Sequence, residues 1–237
     1  MMKIGIISDI HANLHALEAV AKDMDLEGID EVWCLGDTIN YGAFPNECCQ
    51  WVIENVSSYI LGNHELMLLG LASVENRYVN ACLKWTKQVI REDYIEYFAT
   101  KSVIKIFDDV TLVHDNPLSP GSMRYILTRG EAEEVLLKST AHVCFFGHTH
   151  IPIGYRLSTV GAEIIKTPVY TIDSRKHLIN PGSVGQPRDG MPLASYIVLQ
   201  DNTLRLKRIK YDVKGAAKAI IEANLPIIMA ARLLEGV

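Results

Sequence analysis

Short apolar runs alternate with amphipathic stretches through the first third of the chain. KIGIIS, EVWCLG and SYIL have the length and β-branched content of buried strands. Helical spacing follows each run, over roughly 14–24, 46–55 and 65–71. Strand, helix, strand in that order predicts a parallel sheet with right-handed crossovers. From 74 to 100 helical periodicity dominates, with Tyr78, Cys82, Trp85, Val89 and Ile90 on one face, and predicts one long helix or two short ones. SVIKIF and VTLVH predict a hairpin turning at Asp108 and Asp109, and EAEEVLLKS predicts a helix before the strand-like AHVCFFG.

The second half changes character. IGYRL, AEIIKT, VYTID, ASYIVLQ and LRLKRIKYD are short, alternating and separated by turn residues, the signature of antiparallel strands. The last 25 residues read as two short helices divided at Pro226. No internal repeat, low-complexity tract or flexible linker interrupts the pattern. The expected fold is α/β, an αββα sandwich of two mixed β-sheets flanked by helices, in one domain over 1–237.

Composition narrows the function classes. A chain of 237 residues with 49% hydrophobic and 22% charged residues can bury a sizeable core and is too apolar for disorder. A net charge of -5 and a pI of 5.9 supply no basic field for long nucleic acids, so a polyanionic substrate would need local cations. The five cysteines, Cys34, Cys48, Cys49, Cys82 and Cys144, lack the paired spacing of a thiolate zinc site or a disulfide framework. Neither a signal peptide nor a run long enough to span a bilayer is visible, so the expected location is a reducing cytoplasm.

The candidate chemistry sits where strands end. CFFGHTHIP closes an apolar run with His148 and His150 at alternate positions, on one side of an extended segment. SDIH places Asp9 and His11 after the first strand, and LGD places Asp37 after the second. LGNHE places Asn63 and His64 after the third, and LVH places His114 after a later one. Ligand sites of open α/β sheets lie at this carboxyl edge. Oxygen and imidazole donors without sulfur suit divalent Mn, Fe, Co, Ni or Zn. The set is too large for one ion and fits a pair about 3.5–4 Å apart, the arrangement that supports displacement at phosphorus.

These words, in this order, resemble the calcineurin-like metallophosphoesterase superfamily: D-x-H at Asp9 and His11, GD at Gly36 and Asp37, GNHE at Gly62 to Glu65, the lone His114, and GHTH at Gly147 to His150. The resemblance covers nearly the whole chain. GDTINYGAFPNEC and INPGSVGQPRDG resemble a branch of small prokaryotic phosphodiesterases that includes diadenosine-tetraphosphatase-like proteins. The resemblance implies that Asp9, His11, Asp37 and His150 hold one metal, and that Asp37 bridges to a second completed by Asn63, His114 and His148. It implies a metal-bridging hydroxide as nucleophile. His64 would donate a proton to the leaving oxygen or stabilise charge on the phosphoryl group.

Each piece alone has a plainer reading. Asp9 can cap a helix, Asn63 can occupy a left-handed turn, and a lone His114 is more often a packed imidazole. His15, His142 and His177 are assigned to packing or solvent. Tyr41 with Phe44 is a candidate substrate-pocket wall, with a core or turn role equally open. Arg188 offers a planar cation to a phosphate from a Gly/Pro-rich loop whose composition first says turn. The stripe of Tyr78, Trp85 and Val89 is most simply core, with a pocket lid as the alternative. Two departures from the family stand out. Leu61 occupies the position where protein serine/threonine phosphatases carry an arginine, and Asp115 follows His114 where a small residue is usual.

The expected function is a dinuclear-metal hydrolase of a phosphodiester or pyrophosphate bond, acting on a small phosphorylated substrate such as a nucleotide or dinucleotide. Phosphomonoesterase activity is the enzymatic rival, and a metal-binding scaffold like the retromer subunit of this fold is the non-catalytic one. All seven ligand positions and His64 are filled, which favours catalysis. The exposed late strands and terminal helices are the faces where copies of the chain would pair.

Overall fold

The computed structural model describes residues 2–237. β1 (Lys3–Ile7), α1 (Leu14–Glu27), β2 (Glu31–Cys34), α2 (Pro45–Asn55), β3 (Ser58–Tyr59) and α3 (Asn63–Leu68) follow the predicted alternation. The long periodic stretch divides into α4 (Arg77–Val89) and α5 (Glu92–Ala99), because Ile90 and Arg91 are both extended. The hairpin of β4 (Ile104–Phe107) and β5 (Val110–Val113) turns at Asp108 and Asp109 as expected. Next comes α6 (Arg129–Lys138), whose start is closed reciprocally: Thr128 Oγ1 accepts the Glu131 amide and the Glu131 carboxylate accepts the Thr128 amide. The remaining strands are β6 (Val143–Phe145), β7 (Ile153–Ser158), β8 (Gly161–Ile165), β9 (Val169–Thr171), β10 (His177–Asn180), β11 (Ala194–Gln200) and β12 (Thr203–Ile209). α7 (Val213–Glu222) and α8 (Ile227–Glu235) finish the chain on either side of Pro226.

Two six-stranded sheets result, in the orders β3-β2-β1-β11-β12-β9 and β4-β5-β6-β10-β7-β8. Both are mixed. In the first, β1, β2 and β3 run parallel and β11, β12 and β9 extend the sheet antiparallel from β1. In the second, β5, β6 and β10 run parallel while β4, β7 and β8 are antiparallel to their neighbours. The late strands therefore do not build a sheet of their own: β11 sits beside β1 at the centre of the first sheet. β10 was invisible in the pattern, being only four residues preceded by a polar segment. His177, at its head, is buried rather than part of a solvated turn.

Strand alternation distributes the core. Ile4 and Ile6 of β1 meet Trp33, Leu35, Phe145 and Ile197 between the two sheets. Ile7, Cys34, Tyr196 and Val198 point the other way, into the layer covered by α1 and α2. On the far side, α6 places Val135 and Leu136 over Cys144, Phe146 and Leu178. α7 and α8 pack together and, with α4, enclose Tyr41 and Met67. The buried face of α4 is Val79, Cys82 and Thr86, whereas Tyr78 and Val89 are more than a third exposed. The apolar stripe is thus not simply core, since its Tyr78 end reaches a cavity mouth. No helix among the described residues is long and apolar enough to cross a membrane.

The ends of β2 and β3 meet closely, and Gly36 makes this approach. Its φ is +90°, and a Cβ there would stand 2.3 Å from the Gly62 amide nitrogen. Gly28, which caps α1 at φ +67°, has open space around it. Gly36→Ala is expected to destabilise by roughly 3 kcal/mol, combining backbone strain with overpacking. Gly28→Ala should cost only about 1–2 kcal/mol, from backbone strain alone. Urea unfolding midpoints of the two variants will check the difference.

Candidate metal centre

The carboxyl ends of β1, β2, β3, β5 and β6 converge at one rim, and the polar words after each strand meet there. Sharp turns make this convergence. Asp9, His11, Asp37, His148 and His150 all take positive φ, between 50° and 65°, as does Asn40 at 72°. Such backbone costs a non-glycine residue about 1–2 kcal/mol, and its clustering here marks a place where geometry outweighs local preference.

The two aspartates are divided in the same way. Asp9 Oδ2 accepts the His148 amide at 3.1 Å, and Asp37 Oδ1 accepts the His64 amide at 2.8 Å. Their other oxygens, Asp9 Oδ1 and Asp37 Oδ2, are buried without a hydrogen-bond partner among the described residues. Leaving a buried carboxylate oxygen unpaired is costly. These oxygens face imidazole nitrogens. His150 Nε2 lies 3.2 Å and His11 Nε2 3.7 Å from Asp9 Oδ1, and His114 Nε2 lies 3.1 Å from Asp37 Oδ2.

Backbone carbonyls decide which nitrogens are bare. His11 Nδ1 is 3.1 Å from the Ile39 carbonyl, His114 Nδ1 2.7 Å from that of Leu35, and His150 Nδ1 2.5 Å from that of Gln186. A carbonyl only accepts, so each Nδ1 carries the proton and, in the neutral ring, Nε2 presents a lone pair. His11 Nε2 and His150 Nε2 face one another at 3.2 Å. His148 is reversed: its Nε2 donates to the Met123 carbonyl at 3.1 Å and Nδ1 is left free, while Tyr125 stacks on the ring at 4.0 Å. Asn63 Oδ1 adds a further oxygen, 3.1 Å from His114 Nε2.

The rim is therefore a buried collection of acceptors in need of cations. Ligand atoms of Asp9, His11 and His150 lie within 4.8 Å of one another, as do those of Asp37, His114 and His148. Electrostatics divide the rings. Burial opposes charge on His114, yet the Asp37 carboxylate prevails and raises its pKa to about 10. Burial lowers His148 to about 4 and, reinforced by the charge of Arg188, His150 to about 3, so both are neutral donors near pH 7. Such a set of oxygen and imidazole groups could hold metal ions.

His64 differs from the others. Asn40 Oδ1 accepts the Tyr41 amide at 3.0 Å, which turns Asn40 Nδ2 toward His64 Nδ1 at 2.7 Å. His64 Nδ1 must then accept, and Nε2 carries the hydrogen, 3.8 Å from Asp37 Oδ2. Burial pulls the pKa of His64 well below its usual value, partly offset by Asp37. Although His64 lies close enough to group with His11 and Asp37, its tautomer makes it a donor toward the cavity.

Several supporting residues had no role in the sequence reading. Glu65, the last letter of GNHE, accepts the amides of Asp37, Thr38, Ile39 and Gly62 at 2.8–3.3 Å, and ties the β2 turn to the start of α3. Asn180, at the end of the unforeseen β10, donates to the Gly147 carbonyl and Thr149 Oγ1. Gly147 itself admits no side chain, since a Cβ would lie 2.1 Å from Ser8 Oγ. The loop INPGSVGQPRDG braces the Asp9 turn, with Ser183 Oγ donating to the Asp9 carbonyl. Asp115 spends its carboxylate on the amides of Gly121 and Met123, and so holds the loop that receives His148. Glu65 and Gly147 stand within their motifs, while Asp115 and the INPGSVGQPRDG loop are conspicuous in the chain without any sign of these supporting contacts.

A cavity of about 450 Å³ opens over this rim, lined by Asp37, Asn63, His64, His148 and His150 and, further out, by Tyr41 and Arg188. Phe44 is absent from it. The chain turns back after Tyr41, and the Phe44 ring packs 5.5 Å from His15 of α1, which removes Phe44 from the substrate wall. Tyr125 and Arg232, neither singled out in the sequence, line the cavity.

Residues 2–203 match the family model of the calcineurin-like phosphoesterase superfamily domain. The chain is 35% identical to an uncharacterized protein of Methanocaldococcus jannaschii, over 98% of each chain. It is 28% identical to a symmetrical bis(5'-nucleosyl)-tetraphosphatase of Methylobacillus flagellatus, over 68% of this chain and 60% of the relative. The crystal structure of a metallophosphoesterase from Sphaerobacter thermophilus superposes with a TM-score of 0.89 at 34% identity, covering 100% of this chain and 99% of that one. With the family model spanning most of its length and the strand-end motifs gathered at one rim, the chain belongs to the calcineurin-like phosphoesterase superfamily.

Proposed function

We propose that this protein is a dinuclear-metal-dependent phosphoesterase that hydrolyses a phosphodiester or pyrophosphate bond in a small nucleotide or dinucleotide. The observation that carries this reading is the pair of buried, unpartnered oxygens, Asp9 Oδ1 and Asp37 Oδ2, set among imidazole nitrogens whose opposite ring atoms are bound to backbone carbonyls. Asp9, His11, Asp37 and His150 would hold one divalent ion, and Asp37, Asn63, His114 and His148 the other. Such a pair, when bound, polarises a phosphoryl group and lowers the pKa of water near neutral pH. The relative named as a symmetrical bis(5'-nucleosyl)-tetraphosphatase supports the nucleotide part of the reading. The five cysteines are all buried and unpaired, in keeping with a reducing cytoplasm.

His64 acts from the cavity side. Burial keeps the imidazole neutral, and nearby divalent charge would hold it so, so its Nε2 hydrogen is offered as a hydrogen bond and not as the acid proton of an imidazolium. It stabilises charge on the phosphoryl or leaving oxygen. Asn40 is a positioning residue that fixes this tautomer.

Metal-free protein is expected to lack activity and to regain it with Mn, Co, Ni or Zn, cleaving bis-p-nitrophenyl phosphate faster than p-nitrophenyl phosphate. Faster monoester cleavage would reverse the assignment, and two bound ions without turnover of any phosphate ester would favour a scaffold. His64→Ala should lower kcat about 10²–10³-fold while two metals remain bound. His64→Gln, which keeps an N–H donor, should lose less, and steady-state kinetics with metal analysis checks both. Asn40→Ala is expected to reduce kcat about tenfold with little change in KM, as loss of orientation demands. A change confined to KM would remove Asn40 from that role.

A further inference from the structure

The outer part of the cavity carries two guanidinium groups with no Asp or Glu side chain paired to either among the described residues. Arg188 follows β10 in the bracing loop, and Arg232 sits in the last turn of α8; both line the cavity. Arg188 donates from Nε and Nη2 to Gln186 Oε1 at 3.3 and 2.8 Å. Arg232 donates from Nε to the main-chain oxygen of Val237 at 2.8 Å, and its two terminal nitrogens, which have no hydrogen-bond partner among the described residues, are left for a ligand. Asp189, the acid beside Arg188, is held by Arg208.

The like charges are forced together. The Gly190 amide donates to the Gly236 carbonyl at 2.9 Å, and a Cβ on Gly236 would stand 2.6 Å from the Met191 backbone, so loop and helix end are packed as one piece. Arg232 is half-buried, and burial together with the charge of Arg188 lowers its pKa. A last-turn arginine does complement its helix dipole. That accounts for its position along α8 but not for its facing the cavity beside a second cation. Two half-buried guanidinium groups offer parallel donors to phosphate oxygens, which would relieve their repulsion.

We propose that Arg188 and Arg232 form a second anion subsite, so that the pocket selects substrates whose reacting phosphoryl group is linked to a further phosphoryl group. Pyrophosphate-bridged compounds are then preferred over simple diesters. The inference rests on the phosphoesterase reading above, and its second cation lies on α8, outside the residues 2–203 matched by the family model.

The test is calorimetric titration of the metal-loaded protein with adenosine 5'-(α,β-methylene)diphosphate and with AMP. The diphosphate analogue should bind at least about tenfold more tightly, the effect of one added charge-assisted contact pair. That ratio should fall at least about threefold in Arg232→Met and in Arg188→Met, and be partly kept in Arg232→Lys. Melting curves will establish that each variant is folded, and the two sites give independent readings if one is not. A ratio near one in the native protein, or an undiminished ratio in both methionine variants, would overturn the subsite. Turnover of bis-p-nitrophenyl phosphate and of a bis(5'-nucleosyl) tetraphosphate is measured alongside. Absence of both with the diphosphate preference intact would defeat the catalytic reading and leave the subsite standing.

Discussion

Two carboxylate oxygens, Asp9 Oδ1 and Asp37 Oδ2, are buried with only imidazole nitrogens facing them among the described residues, and the surrounding architecture is arranged about them. In each aspartate the partner oxygen is fixed by a backbone amide from another segment, so the free oxygen has a set direction. The nearby imidazoles are fixed just as firmly by carbonyls. Nothing in this arrangement lets the acceptors turn away from one another. Acceptors held together in this way could bind metal ions.

Holding such a geometry needs support from distant parts of the chain. Glu65 gathers four amides from two strand ends, Asn180 pins the GHTH turn, and Asp115 pins the loop that receives His148. None of these three lines the cavity. They convert left-handed, locally unfavourable backbone at Asp9, His11, Asp37, His148 and His150 into a single rigid rim. Burial then acts on this rim by keeping His148, His150 and His64 neutral.

The cavity has an inner and an outer part of different origin. The inner part comes from the strand ends that carry the superfamily motifs. α4, α8 and the loop after β10 build the outer part, adding Tyr78, Arg232 and Arg188. An apolar and aromatic wall thus stands beside two guanidinium groups. In the function proposed above, the chemistry would belong to the rim and selectivity to the outer wall.

Much of this was legible in the chain itself. Strand-end words such as SDIH, GD, GNHE and GHTH carry side chains whose spacing and order reflect where strands stop, and periodicity placed both the parallel half and the terminal helices. Local sequence could not place β10, because four residues buried on both faces lack a periodic signature. The role of Asn40 was equally hidden, since it depends on a ring contributed 24 residues later. Phe44 was misplaced because adjacency to Tyr41 says nothing about direction once the chain turns at Gly42. Arg232 could be recognised only after α8 had been docked beside the loop of Arg188. Sequence alone determined which donors exist and at which strand ends they stand. Tertiary structure decided their tautomers, their partners and the cavity they share, because those depend on contacts between segments far apart in the chain.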